Sequence, residues 1–242
     1  MTFDEAIQVV SKGQSIKGIG TFGEKATHQV LKYYMQPDDT KHEVRVGRYI
    51  VDAIDNNGAL IEVQSKDFYR MKDKLSALLD GNTVEIVYPC PVNRCSLWVR
   101  PEDLQVVGEV KYRAYKNSCS ILPELYTIRE FINFSNLKIR LIKFDEAEFK
   151  YLDGYGPNNK RHATKINRVP VTYVGEEVLN SIEDYRRILG IDDEILFNSN
   201  QFARHTRLKI DNARKALVFL TDINVVNRIG RDSSGIIYKM AK

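Results

Sequence analysis

The chain has 242 residues, 43% of them hydrophobic and 28% charged, with a formal net charge of +4. That is too long for a mini-protein, ordinary for a folded one, and enough for one large domain or two small ones. No apolar run nears the roughly 20 residues a spanning helix needs, and residues 1–17 lack an apolar core followed by a small-residue cleavage site. The expectation is a cytoplasmic protein with no membrane partner.

Residues 3–12 read as a short amphipathic helix, after which Gly13, Gly18, Gly20 and Gly23 interrupt the pattern. A clearer helix is expected over about 23–35. Ala26, Val30 and Leu31 share one side, while Glu24, His28 and Lys32 recur at i, i+4 and i+8. Pro37 and Asp38-Asp39 end it. Residues 43–54 and 59–64 are strand-like, and Asp55-Asn56-Asn57-Gly58 between them is a strong turn signal. The flanking Ile50, Ile54, Leu60 and Ile61 suggest a central hairpin rather than a solvent-facing edge. A helix over 66–79, ended by Asp80-Gly81, precedes a strand over 83–88 stopped by Pro89, and 96–100 reads as another strand. Helix, hairpin, helix, strand suits an α/β fold with a mixed sheet flanked by helices. Between 101 and 145 the pattern is weaker, with a helix over 122–134 and a strand over 138–143. Cys90, Cys95 and Cys119 form no disulfide framework, and no second Cys or His pair completes a zinc site with Cys90 and Cys95. They read as reduced structural thiols.

Residues 153–169 combine Gly154, Gly156 and Pro157 with Lys160, Arg161, Lys165 and Arg168, and read as a loop or linker. The expected organisation is a first domain over 1–150, a basic linker over 151–174 and a second domain over 175–242. In that last part helices are expected over 182–189, from the Asn198-Ser199 cap to about 204, and over 211–222, where Ala213, Ala216, Leu217 and Leu220 form one stripe. Strands over 225–229 and 236–240 flank a turn. Three helices and a hairpin resemble an α+β winged helix-turn-helix. In such a module the longer helix is the recognition helix, with Lys209, Asn212, Arg214 and Lys215 near its start, and Arg228 and Arg231 lie in the wing. Residues 150–242 carry a net charge of +5 and the rest −1, which suits a polyanionic partner. The bland alternative is a packing domain with a basic surface.

The segment over 49–70, YIVDAIDNNGALIEVQSKDFYR, holds the chemistry. A three-residue loop, Asn56-Asn57-Gly58, pairs Asp55 with Ala59 and sets Asp52 opposite Glu62, with β-carbons about 4.5–5.5 Å apart. A two-residue loop would put the two carboxylates on opposite faces. Two facing carboxylates repel, and a hard divalent cation compensates, binding one or two of them and keeping water and phosphate elsewhere. Gln64 lies two residues on and points to the face of Glu62, while Val63 points toward the core.

Asp, a turn, then Glu-x-Lys on the next strand is the core of the PD-(D/E)XK nuclease superfamily, and residues 20–90 or so resemble it. Asp52, Glu62 and Gln64 stand in those three places, and Glu24 matches the additional acidic residue of the first helix. The form Glu62-Val63-Gln64-Ser65 is similar to that of CoiA-like competence proteins. The resemblance implies a restriction endonuclease-like fold and a metal-dependent nuclease that hydrolyses phosphodiester bonds in nucleic acid, DNA above RNA. It places catalysis at Glu24, Asp52, Glu62 and Gln64, and Mg²⁺ or Mn²⁺ on Asp52, Glu62 and the Val63 carbonyl. It also suggests a homodimer, since such nucleases often pair to cut both strands. Gln64 departs from the family's lysine: it can position water but carries no charge, and Lys66 or Lys32 could supply the cation instead. His28, Lys66 and Arg70, with Tyr69, Lys72 and Lys74 nearby, are expected at the phosphate backbone. The competing expectation is a non-catalytic DNA-binding or regulatory protein on a degenerate nuclease fold.

Overall fold

The computed structural model describes residues 1–13, 25–103, 105–151, 153 and 165–241. Glu24 and half of the expected linker, including Lys160 and Arg161, lie outside them. The chain is mixed α/β, with a mixed sheet flanked by helices. No described helix is long and apolar enough to cross a membrane.

In place of consecutive domains over 1–150 and 175–242, contacts divide the chain into two interleaved compact units. The first comprises Met1–Val63, Pro91–Lys116 and Ile142–Glu176; the second comprises Gln64–Cys90, Asn117–Leu141 and Glu177–Lys242. The interleaving arises because long strands run on past the points where a local reading ends them. Pro89 and Pro91 lie inside one strand, Val84–Val99. A proline's fixed φ falls within the extended range, so it removes donors without turning the chain. Likewise 165–174, expected as linker, belongs to the strand Lys165–Leu179. Its Val169-Pro170-Val171-Thr172-Tyr173-Val174 run is rich in residues that favour extended backbone.

In the first unit, α1 (Phe3–Gly13) packs on α2 (Lys25–Met35). Phe3, Ala6 and Val10 of α1 and Ala26, Val30 and Leu31 of α2 are buried, as helical spacing requires. The Phe3 ring meets those of Tyr34, Phe144 and Tyr173. The strand-like run 43–54 is a hairpin of its own, β1 (His42–Val46) and β2 (Tyr49–Ile54), because Gly47 turns at φ +59°. β3 (Leu60–Val63) pairs antiparallel with β2. Ile61 and Leu60 are buried as expected, but Ile50 is 50% exposed. β4 is Val84–Val99, and its later half pairs antiparallel with β5 (Val106–Ala114). β6 (Leu137–Tyr151) and β7 (Lys165–Leu179) complete the sheet, whose order is β1-β2-β3-β4-β6-β7 with β5 also on β4.

In the second unit, the helix expected over 66–79 is a 3-10 turn at Phe68–Met71 followed by α3 (Lys72–Leu78). The one expected over 122–134 is α4 (Leu122–Leu125) running into a 3-10 segment, Tyr126–Phe131, kinked at Ile128. α5 (Ile182–Leu189) starts at a Ser181/Asp184 capping box and stops at Gly190, φ +56°. Then come β8 (Phe197–Asn198), α6 (Ser199–Thr206), capped by Asn198 with Gln201, and α7 (Ile210–Asp222). β9 (Val226–Asp232) and β10 (Gly235–Met240) form a hairpin, and β8 adds to β10. Ala213, Ala216, Leu217 and Leu220 form the buried stripe of α7. This block packs within its unit: the Asn117 amide donates to the Thr206 carbonyl at 3.0 Å, and Arg129 pairs with Asp222 at 3.2 Å.

Candidate functional site

The β2–β3 turn positions the central carboxylates. Asp55 N–H donates to the Ala59 carbonyl at 2.9 Å, and Gly58 N–H to the Asp55 carbonyl at 3.2 Å. Asp55 Oδ1 accepts from the N–H groups of Asn57 and Ala59. Gly58 sits at φ +85°, a conformation that glycine adopts without strain. The three-residue loop is therefore present, and β2 and β3 pair Ala53 with Ile61 and Ile54 with Leu60. The same register extended by one residue sets Asp52 opposite Glu62. Glu62 is only 6% exposed.

Asp52 is tied to the end of β3. Its Oδ2 accepts from Val63 N–H at 2.7 Å. His28, one face of α2, reaches the same place: its Nε2 lies 3.2 Å from Asp52 Oδ2 and 3.0 Å from the Val63 carbonyl oxygen. An imidazole N–H thus spans the two oxygens that the sequence reading assigned to a cation. Burial works against the charged form of His28, but the hydrogen bond and charge of Asp52 outweigh it, and the imidazole is held above its ordinary range. Burial also opposes the Asp52 carboxylate, yet His28, the Val63 N–H and the charge of Lys32 hold its pKa below the usual carboxylate range.

Lys32, one turn further along α2, is 9% exposed and forms an ion pair with Glu43. Glu43 adopts φ +52°, a backbone conformation uncommon for a non-glycine residue. Sequence reasoning named Lys32 but not Glu43, for nothing local marks a glutamate on a neighbouring strand as its partner. The oxygens that meet at this place are those of the Asp52 carboxylate and the Val63 carbonyl, hard donors of the kind Mg²⁺ and Mn²⁺ prefer, and Glu62 stands opposite Asp52 by register alone. Among the described residues no group of three or more His, Cys, Asp or Glu is arranged around a common metal position. Glu24 lies outside the described residues.

Gln64 opens the second unit. Its N–H donates to the Val87 carbonyl at 3.0 Å and its amide donates to the Lys66 carbonyl at 2.6 Å, so the carboxamide is engaged in its own turn. Lys66 is exposed, and Arg70 lies over the Tyr69 ring. On α7, Lys209 is the exposed N-cap, Arg214 and Lys215 face solvent, and Asn212 is half-buried; Arg214 pairs with Asp211. Arg228 and Arg231 are exposed on β9.

A charged cluster in the first unit was missed altogether. Arg94 of β4 binds Glu146 of β6 through Nη2 at 2.5 Å, while Glu148 accepts from Lys150 at 2.7 Å and from Arg168 of β7 at 3.0 Å. The signal was there in the alternation Glu146-x-Glu148-x-Lys150, which puts three charges on one strand face.

Comparison places the chain in a family. A family model described as "Domain of unknown function (DUF8091)" matches residues 25–180, and the chain belongs to that family. The match takes in α2, the β2–β3 hairpin and the charged cluster, and stops before α5. The chain is also similar to a protein of Treponema pallidum (strain Nichols), described as "Uncharacterized protein". The two are 35% identical over 153 residues, which cover 62% of this chain and 59% of that protein. The chain thus spans about three-fifths of the length of the curated relative it matches. No solved structure matches.

Proposed function

We propose that the chain is a metal-dependent nuclease with a restriction endonuclease-like first part, hydrolysing phosphodiester bonds in nucleic acid, DNA above RNA. One observation carries the reading. The Asp52 carboxylate and the Val63 carbonyl converge on a single atom position, now taken by His28 Nε2 at 3.2 and 3.0 Å, with Glu62 across from Asp52 in the extended β2–β3 register. Asp52, Glu62 and the Val63 carbonyl are the groups that would hold Mg²⁺ or Mn²⁺. Such an ion polarises phosphate and lowers the pKa of bound water. The protein's own part is to fix the oxygens: the Gly58 turn sets the register, and the Val63 N–H aims Asp52. His28 would leave those oxygens if an ion were to bind them, freeing its N–H for a phosphate oxygen. Lys32, whose charge already reaches Asp52, supplies the positive charge that Gln64 lacks. In the second unit, the order α5, β8, α6, α7, β9, β10 fits a winged helix-turn-helix, and α7 with Lys209, Arg214 and Lys215 would face DNA.

The test is incubation of the purified protein with supercoiled and linear DNA, and with RNA, in Mg²⁺ or Mn²⁺. Cleavage that EDTA stops and Glu62→Ala abolishes, with DNA binding kept, supports the reading. No cleavage of any substrate removes it. A second reading rests on the same contacts. His28 bridges the would-be ligand oxygens and the Gln64 amide is spent on Lys66, which favours a degenerate nuclease fold that binds DNA without cutting it.

A further inference from the structure

We propose that the face of the first unit carrying Arg94, Trp98, Arg113 and Tyr115 binds single-stranded nucleic acid. This goes beyond the hydrolase reading, for it concerns other strands and needs no bond to break.

The face is assembled by strand pairing and side-chain contacts. Arg94 and Arg113 are partners across β4 and β5. Tyr115 continues β5, its N–H donating to the Val92 carbonyl, and therefore lies on the face of Arg113. The Arg94 guanidinium stacks on the Tyr115 ring, 3.5 Å from its centroid. Ser96 and Trp98 follow Arg94 along β4. Lys150 of β6 reaches both, donating to Ser96 Oγ at 3.0 Å and lying 5.8 Å from the Trp98 ring. Trp98 pairs with Gly108, and its Cδ1 lies 3.6 Å from where a side chain at that glycine would begin. The indole is part-exposed and lies alongside Gly108.

Charge and exposure select the partner. Arg94, Arg113, Lys150 and Arg168 stand against Glu146 and Glu148, which leaves two positive charges in excess. Both glutamates are buried, at 4% and 3% exposure, and are bound by the cations above them, so a phosphate approaching from solvent meets the cations first. Arg113 is exposed and Tyr115 is 47% exposed, with one ring face covered by Arg94. Aromatic rings interleaved with cations suit unstacked bases and the phosphates that join them. A duplex keeps its base faces stacked inside and offers such rings nothing. Stacking is tolerant of sequence, so the face is expected to accept most single strands.

Trp98 is the chain's only tryptophan, so its emission reports on this face in the unaltered protein. The experiment titrates the full chain with a short fluorescein-labelled oligothymidylate in EDTA, following Trp98 emission and fluorescein anisotropy together. EDTA prevents cleavage, so the outcome is independent of whether the chain cuts. The expected result is quenching of Trp98 that tracks the rise in anisotropy, weakens with salt, and does not occur with a blunt duplex. Arg113→Glu and Tyr115→Ala should each weaken binding on the order of tenfold. Oligonucleotide binding with Trp98 emission unchanged, no binding at all, or an emission change that follows protein concentration alone would overturn the proposal.

Discussion

His28 Nε2 stands 3.2 Å from Asp52 Oδ2 while holding the Val63 carbonyl at 3.0 Å, so one ring nitrogen of α2 ties the ends of β2 and β3 together. A divalent cation bound by the same oxygens must displace it. His28→Ala should therefore tighten Mn²⁺ binding several-fold, read by calorimetric titration. The side chain is 38% exposed, so the loss of fold stability should be modest, about 1 kcal/mol. Weaker Mn²⁺ binding in the variant would make His28 a ligand rather than a competitor.

The pair also sets a pH window. The folded pKa of His28 is raised, so its contribution is fully present below about pH 6.5 and is lost as pH rises through the folded value. That of Asp52 is depressed, so its contribution is present above about pH 3.9 and is lost as pH falls through the folded value. Urea midpoints of wild type and His28→Ala should differ most near pH 5, roughly mid-window, and converge in alkaline buffer. A difference that grows toward high pH contradicts the assignment.

Arg94 is predicted to be the most sensitive residue of the charged cluster. Its guanidinium holds Glu146, which is 4% exposed and whose carboxyl burial pushes above the ordinary range despite that partner. Arg94→Met strands a buried carboxylate and should cost about 3–5 kcal/mol in denaturant unfolding. Arg94→Met combined with Glu146→Met should recover much of it. A single variant as stable as wild type would mean the pair is not buried in solution.

Gly58→Ala should destabilise by about 1 kcal/mol. The backbone there is at φ +85° and no atom lies within 4 Å of the added carbon, so the penalty is conformational alone. Gly230→Ala, equally open but without positive φ, is the control and should be near neutral.

Burial pushes the Cys119 thiol up to about 12, with Glu177 and Cys90 adding to it. Alkylation at neutral pH should be slow until urea unfolds the chain. Rapid labelling of the native protein would place Cys119 at the surface.

What the sequence made legible was local. The Asp55–Gly58 turn could be read from residue types, and with it the register that sets Asp52 against Glu62. The buried stripe of α7 and the cap of α6 followed in the same way. What failed was anything requiring a strand to outlast its local signal. Pro89 looked like a stop because proline usually lacks a place in a ladder, yet β4 passes through it. Gly- and Lys-rich composition around 153–169 hid the start of β7. Partners far apart along the chain, such as Lys32 with Glu43 or Arg94 with Glu146, leave no spacing to read. The contact of His28 with Asp52 is of that kind too, which is why its helical position pointed only to phosphate.

Manganese binding followed by electron paramagnetic resonance tests the central claim most directly. With Asp52, Glu62 and the Val63 carbonyl as ligands, wild type should bind Mn²⁺, and both Asp52→Asn and Glu62→Gln should lose that binding while keeping the circular dichroism of the folded protein. Equal Mn²⁺ binding in all three, or none in wild type, would contradict it.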